Sequence, residues 1–305
     1  MIKGYYVLSS SDNFVASSQN VITTNGYLMI NKFLVKSVPD WAAAMAVGVY
    51  NSTSNASASD TLMGYEIGRY PITLKTYKTV SGSNQLMFKT SLPTMLAASI
   101  TEIGLFPAVS DNKNNFIVAD FSETSSGSSQ WTASGSTSSL DLVSKSRAGL
   151  YNVLFNASNS YLSNSNIRFD MSNYTQNDFV KLLIQTPASL SSGTFRVSFG
   201  DSLGNIWSTA SGTASGSISL TSSGYYIVSL PLTPAPATNF NYSVNSVSIN
   251  FLTTSTGSLL FDSMKLTSGD IVYSQSALVS RTIFTPPIAK LSGQPMQLEY
   301  YVQVT

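Results

Sequence analysis

Gln297-Leu-Glu-Tyr-Tyr-Val-Gln-Val alternates apolar and polar residues, and that period of two recurs along the whole chain. Successive side chains of a strand point to opposite faces, so Leu298, Tyr300, Val302 and Val304 share one face. Thr194-Phe-Arg-Val-Ser-Phe repeats the pattern with Phe195, Val197 and Phe199 inward, and Ser246-Val-Ser-Ile-Asn-Phe with Val247, Ile249 and Phe251 inward. Further strand-like runs lie at 70–77, 86–90, 151–155, 180–185, 225–230 and 259–266, separated by Gly, Ser, Asn and Pro clusters. Many short strands with frequent turns predict an all-β chain built of sandwiches or barrels. Helix signals are few. Ser37-Val-Pro-Asp-Trp-Ala-Ala-Ala-Met offers a capping serine, an early proline and an alanine run, which predicts one short helix. Leu92–Ala98 is a weaker second candidate.

The chemistry open to such a chain is narrow. None of its 305 residues is histidine or cysteine, and only 10% are charged, with a net charge of +1. Imidazole and thiolate chemistry and thiolate or imidazole zinc sites are excluded. The near-neutral balance suggests neither nucleic acid nor an anionic membrane as a partner. A sparsely charged surface associates readily, which suits a subunit of an assembly. No apolar run reaches the roughly 18 residues of a membrane span. The N-terminus lacks a long apolar core with a small-residue cleavage site, so no signal peptide is expected.

Catalysis would have to use two facing carboxylates, as in glycoside hydrolysis. Glu66, Glu102 and Glu299 lie near strand-like runs, and Asp170, Asp178 and Asp201 lie at turn-like positions. No spacing singles out a pair, and a non-enzymatic protein is the expectation. Glu66, Arg69, Glu102 and Arg281 stand among strand residues in a chain poor in charge. They read either as ordinary surface pairs or as a partly buried network of structural ion pairs.

The composition shifts near Asp120. From 122 to 139 the chain is almost all Ser, Thr and Gly, interrupted by Trp131. This is either a flexible linker or a Ser/Thr-rich entry strand with Trp131 as a core anchor. A second boundary falls near Thr267-Ser-Gly-Asp270. The remaining ~35 residues are too few for a core of their own. They are expected to pack onto the N-terminal part, giving a discontinuous outer domain, 1–119 plus 267–305, with 120–266 inserted. Insertions of this kind are tolerated at loop tips.

Trp41-Ala-Ala-Ala-Met-Ala-Val-Gly, Asp60-Thr-Leu-Met-Gly-Tyr-Glu-Ile-Gly-Arg69, Ile100-Thr-Glu-Ile-Gly-Leu-Phe106, Leu278-Val-Ser-Arg-Thr-Ile-Phe284 and the closing strand follow one another in an order that resembles a family of tailed-bacteriophage virion proteins. Those are β-sandwich subunits of tail, baseplate or fibre-attachment regions. The resemblance implies a virion location, other virion proteins as partners and a homo-oligomer in the particle. The 120–266 stretch resembles a carbohydrate-binding jelly roll through Asp120-Phe-Ser-Glu, Trp131, Asp170-Met-Ser, the Tyr225–Leu232 run and Leu260-Phe-Asp-Ser-Met-Lys-Leu. It leaves two roles open for this stretch, contact with host surface glycans or a passive, protein-contacting knob. For the first, Tyr161, Tyr174, Trp207, Tyr226 and Tyr242 are the candidate sugar-binding aromatics, Trp207 reading equally as a core residue. It leaves one cofactor open, a structural calcium on Asp120, Glu123 and Asp262, whose other reading is as turn and strand-edge residues. A capsid decoration or head-fibre protein, and a carbohydrate-binding adhesin module, are the alternative functions.

Overall fold

A computed structural model describes residues 2–11, 13–50, 54–80, 83–109, 116–121, 124–125, 128–134, 140–143, 150–155, 160–186, 193–209, 217–218, 224–253, 257–269 and 277–304. The protein is all-β. Its described strands form four larger antiparallel sheets and a two-stranded ribbon, with one α-helix among the described residues. The chain divides into two compact units, one made of 1–111 and 271–305 and the other of 112–270. The division lies at 111/112 and 270/271 rather than 119/120 and 266/267, because Phe116–Ala119 pairs with Gly257–Thr267 and so belongs to the middle unit.

The outer unit contains two five-stranded sheets. One runs Asn13–Gln19, Ile2–Ser10, Met296–Val304, Ser83–Leu92, Leu74–Val80, and the other Val21–Ile22, Ser280–Lys290, Ala98–Phe106, Ala44–Val49, Tyr65–Pro71. Residues from both ends of the chain therefore share each sheet. Within this unit Tyr6 links the sheets, its Oη lying 2.6 Å from Ser280 Oγ.

Two local expectations are corrected here. The run 37–45 is not a helix, and its last two residues open a strand. Ala44–Val49 is a strand buried at every residue, and an apolar strand covered on both faces shows no alternation. The α-helix is Thr24–Leu34, capped by Thr23, whose Oγ1 accepts from Gly26 N at 2.9 Å. Leu92–Ala98 is likewise not helical, being the end of one strand, a turn and the start of another.

The middle unit is a β-sandwich. A seven-stranded sheet contains Thr132–Ser134, Ser160–Asn164, Ser243–Thr253, Gly193–Asp201 and Ile206–Ser208 in that order, with Phe169–Asp170 and Ser217–Ile218 at its margins. A six-stranded sheet contains Leu140–Val143, Leu150–Phe155, Gly257–Thr267, Phe179–Thr186 and Gly224–Pro231, with Phe116–Ala119 beside Gly257–Thr267. Phe195, Val197, Phe199, Val247, Ile249 and Phe251 from the first sheet meet Val180, Leu182, Ile184, Phe261, Met264 and Leu266 from the second in one core. Trp131 is fully buried there, with its ring 4.8 Å from that of Phe121. That position makes it an anchor, which a solvated linker would not need. Phe121 holds a left-handed backbone (φ 60°) and is itself fully buried against Phe261. Such a conformation costs about 1–2 kcal/mol, and burying a phenylalanine contributes about 1.5–3 kcal/mol.

Candidate functional site

The inward residues of the seven-stranded sheet fix what its other face must carry. With Val247, Ile249 and Phe251 in the core, Ser246, Ser248 and Asn250 face outward. The neighbouring strand puts Arg196, Ser198 and Gly200 on the same side. Directly opposed residues share a face. Tyr161 faces Asn250, and Asn250 faces Arg196, giving one transverse row. The next row is Thr132, Ser163, Ser248, Ser198 and Ser208, five hydroxyls across five strands. Thr132 Oγ1 and Ser163 Oγ are 3.0 Å apart, and Ser198 Oγ and Ser208 Oγ are 2.8 Å apart. The third row holds Ser246, Gly200 and Ile206.

A shallow groove of about 210 Å³ lies over the second and third rows, beside the row of Tyr161, Asn250 and Arg196. Ser163, Ser248, Ser198, Ser246 and Gly200 line it, together with Gln130, Asn164 and Ile206. Gly200 keeps it open, since a Cβ there would stand 2.3 Å from Ser246 Oγ. Asn164, itself buried, accepts a hydrogen bond from Asn166 N at 2.8 Å, while its Nδ2 has no partner among the described residues. An unsatisfied buried donor costs about 1–3 kcal/mol. Tyr161 is 38% exposed. Arg196 is exposed and makes no ion pair among the described residues. The face thus combines hydroxyl donors and acceptors, an open aromatic ring, an amide and a guanidinium. It has the means to bind a polar, ring-bearing ligand.

The other proposed sugar-binding aromatics lie elsewhere. Trp207 is 2% exposed, and its Nε1 donates to Leu232 O at 3.1 Å and Pro234 O at 2.9 Å. It is a core residue. Tyr174 is buried as well, and Tyr226 packs against the core, so neither is a platform. Tyr242 is 37% exposed, but its ring is edge-on to Trp207 and Phe240 at 6.1 and 5.6 Å. Of the five, Tyr161 alone stands on the sheet's outward rows. Sequence reading did not single out Arg196 or the hydroxyl rows, although the alternation that buried Val197 and Ile249 implied their direction.

The carboxylates named as charge carriers hold structure. Arg69 grips Glu66 through Nε–Oε1 and Nη2–Oε2, both 2.9 Å, with its guanidinium 3.7 Å above the Phe106 ring. Arg281 donates from Nε and Nη2 to Glu102 Oε2, and from Nη1 to Asp60 at 2.8 Å. All four of Glu66, Arg69, Glu102 and Arg281 have buried side chains, so the surface-pair reading does not describe them. Burial pushes the Glu102 carboxyl above the usual carboxylate range, with Arg281 and the amides of Gly64 and Tyr65 pulling the other way. Asp178 bonds Thr175 N and Gly269 N, and Asp201 bonds Leu203 N, Asn205 N and Asn241 N. These are turn-holding carboxylates.

Of the proposed calcium ligands, Glu123 lies outside the described residues. Asp120 directly follows Phe116–Ala119. Asp262 is buried as the extra residue of a bulge, where Leu183 faces Ser263 and Ile184 faces Phe261. Among the described residues no three metal-ligating side chains gather.

No family model matches the chain, and no curated protein matches it. Solved structures do match about half of it. One is a family 11 carbohydrate-binding module from Clostridium thermocellum in complex with a mixed-linked β-1,3-1,4 tetrasaccharide, at 16% identity and a TM-score of 0.36, covering 50% of this chain and 94% of that one. Another is the family 11 module of the cellulase Lic26A-Cel5E of the same organism, at 14% identity and 0.35, covering 50% and 93%. A third is a module specific for non-crystalline cellulose, at 13% identity and 0.32, covering 45% and 86%. Similarity at this level assigns no ligand and no residue role to this chain.

Proposed function

We propose that this is a non-catalytic glycan-binding protein. Its middle unit takes a sugar chain on the outward face of the seven-stranded sheet. The observation that carries this reading is Tyr161, open to solvent in one row with Asn250 and Arg196, beside a groove floored by hydroxyls. Binding sites of this kind join an apolar surface to a few placed polar groups. Affinity electrophoresis against soluble polysaccharides tests it. Tyr161→Ala is expected to weaken binding by about 10- to 100-fold, the size of losing an aromatic anchor, with the melting temperature unchanged. Absence of binding to any polysaccharide, or indifference to Tyr161→Ala, overturns the reading.

The docking role of the outer unit belongs to the same proposal. Asn13–Gln19 is the outermost strand of its sheet, carries no charged residue and exposes Phe14 at 68%. Charge, proline and β-bulges are among the means by which edges avoid pairing with another chain, and this strand has a bulge at Val15. It has neither charge nor proline. In the finer reading the partners are other proteins of a phage particle, in which the chain is a homo-oligomer. A mass-spectrometric inventory of purified virions tests that. Absence of the chain from virions whose host cell made it counts against it.

A further inference from the structure

The outward side of the three central strands is almost free of charge, while the exposed Asp170 stands at the sheet's margin, paired with Ser243. Ser160–Asn164 and Ser243–Thr253 contain no charged residue, and Gly193–Asp201 contains two. One of these, Asp201, is buried in its turn, with both carboxylate oxygens engaged. The other is Arg196, which the three central strands alone present outward. In a chain with so few charges, an arginine in the middle of a serine-rich face calls for a physical reason. A neutral sugar would be served by the amide and hydroxyls already present. A guanidinium offers a rigid planar fork of donors that matches a carboxylate in two parallel hydrogen bonds.

The position of Arg196 sharpens this. It lies two strands from Tyr161 with Asn250 between them. Strands are spaced about 4.7–4.9 Å apart, so the two side chains rise about 10 Å apart. That is a separation a disaccharide spans. One sugar ring can lie on Tyr161 while an acidic group on its neighbour meets Arg196.

We infer that the ligand of this face is a carboxylated glycan, a polymer containing uronic or sialic acid residues, with Arg196 selecting its carboxylate. The inference rests on the glycan-binding reading and narrows it. The reading requires Tyr161 to hold a sugar, and the inference requires Arg196 to choose the acidic one.

The test uses the full-length chain and titration calorimetry. The probes are polygalacturonate, alginate, hyaluronan and polysialate, each also in its carboxyl-reduced neutral form, with dextran sulfate as a sulfated polymer of neutral backbone. At least one acidic polymer is expected to bind, and its neutral form to bind about 10- to 100-fold more weakly, the size of a charge-assisted hydrogen-bonded pair. Arg196→Met is expected to erase the difference between the two forms. Arg196→Lys keeps the charge but loses the fork, and is expected to recover only part of the preference. Equal affinity for acidic and neutral forms, with Tyr161→Ala still abolishing binding, overturns the inference and leaves the glycan reading standing. Binding of dextran sulfate in preference to every carboxylated polymer also overturns it. Binding of no polymer at all removes both.

Discussion

Arg281 closes on Glu102 across 179 positions of chain, its Nε and Nη2 both donating to Glu102 Oε2, at 2.9 and 2.6 Å. The two residues lie on strands that precede and follow the middle unit, Ala98–Phe106 and Ser280–Lys290, which are hydrogen-bonded neighbours. The pair ties the two halves of the outer unit together. Its surroundings fit it: Glu102 also accepts from Tyr65 N at 3.1 Å, and Arg281 lies 4.3 Å from the Tyr50 ring. Gly48 faces Glu102 across the sheet, and a Cβ there would approach Glu102 Oε1 to 2.7 Å.

Arg281→Met strands the buried carboxylate. Removing one partner of a buried pair costs about 3–5 kcal/mol. Urea unfolding should show that loss in the outer unit. Adding Glu102→Gln to Arg281→Met should recover part of it, since no uncompensated charge then remains. Additive losses in the double variant would mean that the two residues act independently.

Gly26 lies in the helix, where an alanine would ordinarily gain about 1 kcal/mol. Here a Cβ would stand 2.0 Å from Val279 O, a backbone atom of the chain's return segment. Val279 is also held through its backbone, donating to Leu105 O at 2.8 Å and accepting from Thr23 N at 3.0 Å. It cannot retreat without breaking those bonds. Gly26→Ala should therefore lower stability, by about 1–3 kcal/mol as overpacking does. A higher melting temperature for the alanine variant would refute the close approach.

The alternating strands of the middle unit were legible because one face of each is buried and the other is not. Phe195, Val197 and Phe199, and Val247, Ile249 and Phe251, all point as their spacing requires. Ala44–Val49 was not legible, because burial on both faces erases the period. The run 70–77 reads as one strand, yet Tyr65–Pro71 and Leu74–Val80 belong to different sheets, with the chain crossing at Ile72 and Thr73. Pro71, directly before the crossing, is the local mark of it that the reading of one continuous run passed over. At the site, residue type misled. Tyr174, Trp207 and Tyr226 suit a sugar platform by chemistry, but only cross-strand register tells which face a ring occupies. The hydroxyl rows were hidden for the opposite reason, since serine and threonine occur throughout the chain.

Asp201 sets an acid limit on the middle unit. Burial alone would raise its pKa, but hydrogen bonds from the Asn205 side chain and from the amides of Asn241, Asn205 and Leu203 outweigh that and bring it to about 2. An unfolded aspartate titrates near ~3.9. The folded value is the lower one, so the stabilisation is complete above about pH 4 and is lost as pH falls towards about 2. Asp170, lowered by its bonds to Ser172, contributes in the same direction. Melting curves recorded from pH 6 to pH 2 should show the middle unit weakening over that interval. Asp201→Asn should start less stable and show a shallower decline. An unchanged slope would mean that Asp201 carries no part of the acid sensitivity.

Trp207 and Tyr161 separate stability from binding. They stand on the same sheet with opposite facings, Trp207 turned into the core and Tyr161 turned out. Trp207→Phe retains an aromatic ring but removes the donor shared by Leu232 O and Pro234 O. Leaving the buried Leu232 carbonyl without that donor costs about 1–3 kcal/mol. The middle unit of that variant should melt earlier, while its affinity for glycan, measured well below the transition, stays at the wild-type value. Tyr161→Ala removes an exposed ring that contributes little to the core, so its melting curve should be unchanged while binding falls. The two variants together form a double dissociation, read from one calorimetric melt and one titration for each. If Trp207→Phe alters affinity at temperatures where the fold is intact, the sugar is in contact with the tryptophan's side of the sheet, and the face defined by Tyr161, Asn250 and Arg196 is not where the ligand sits.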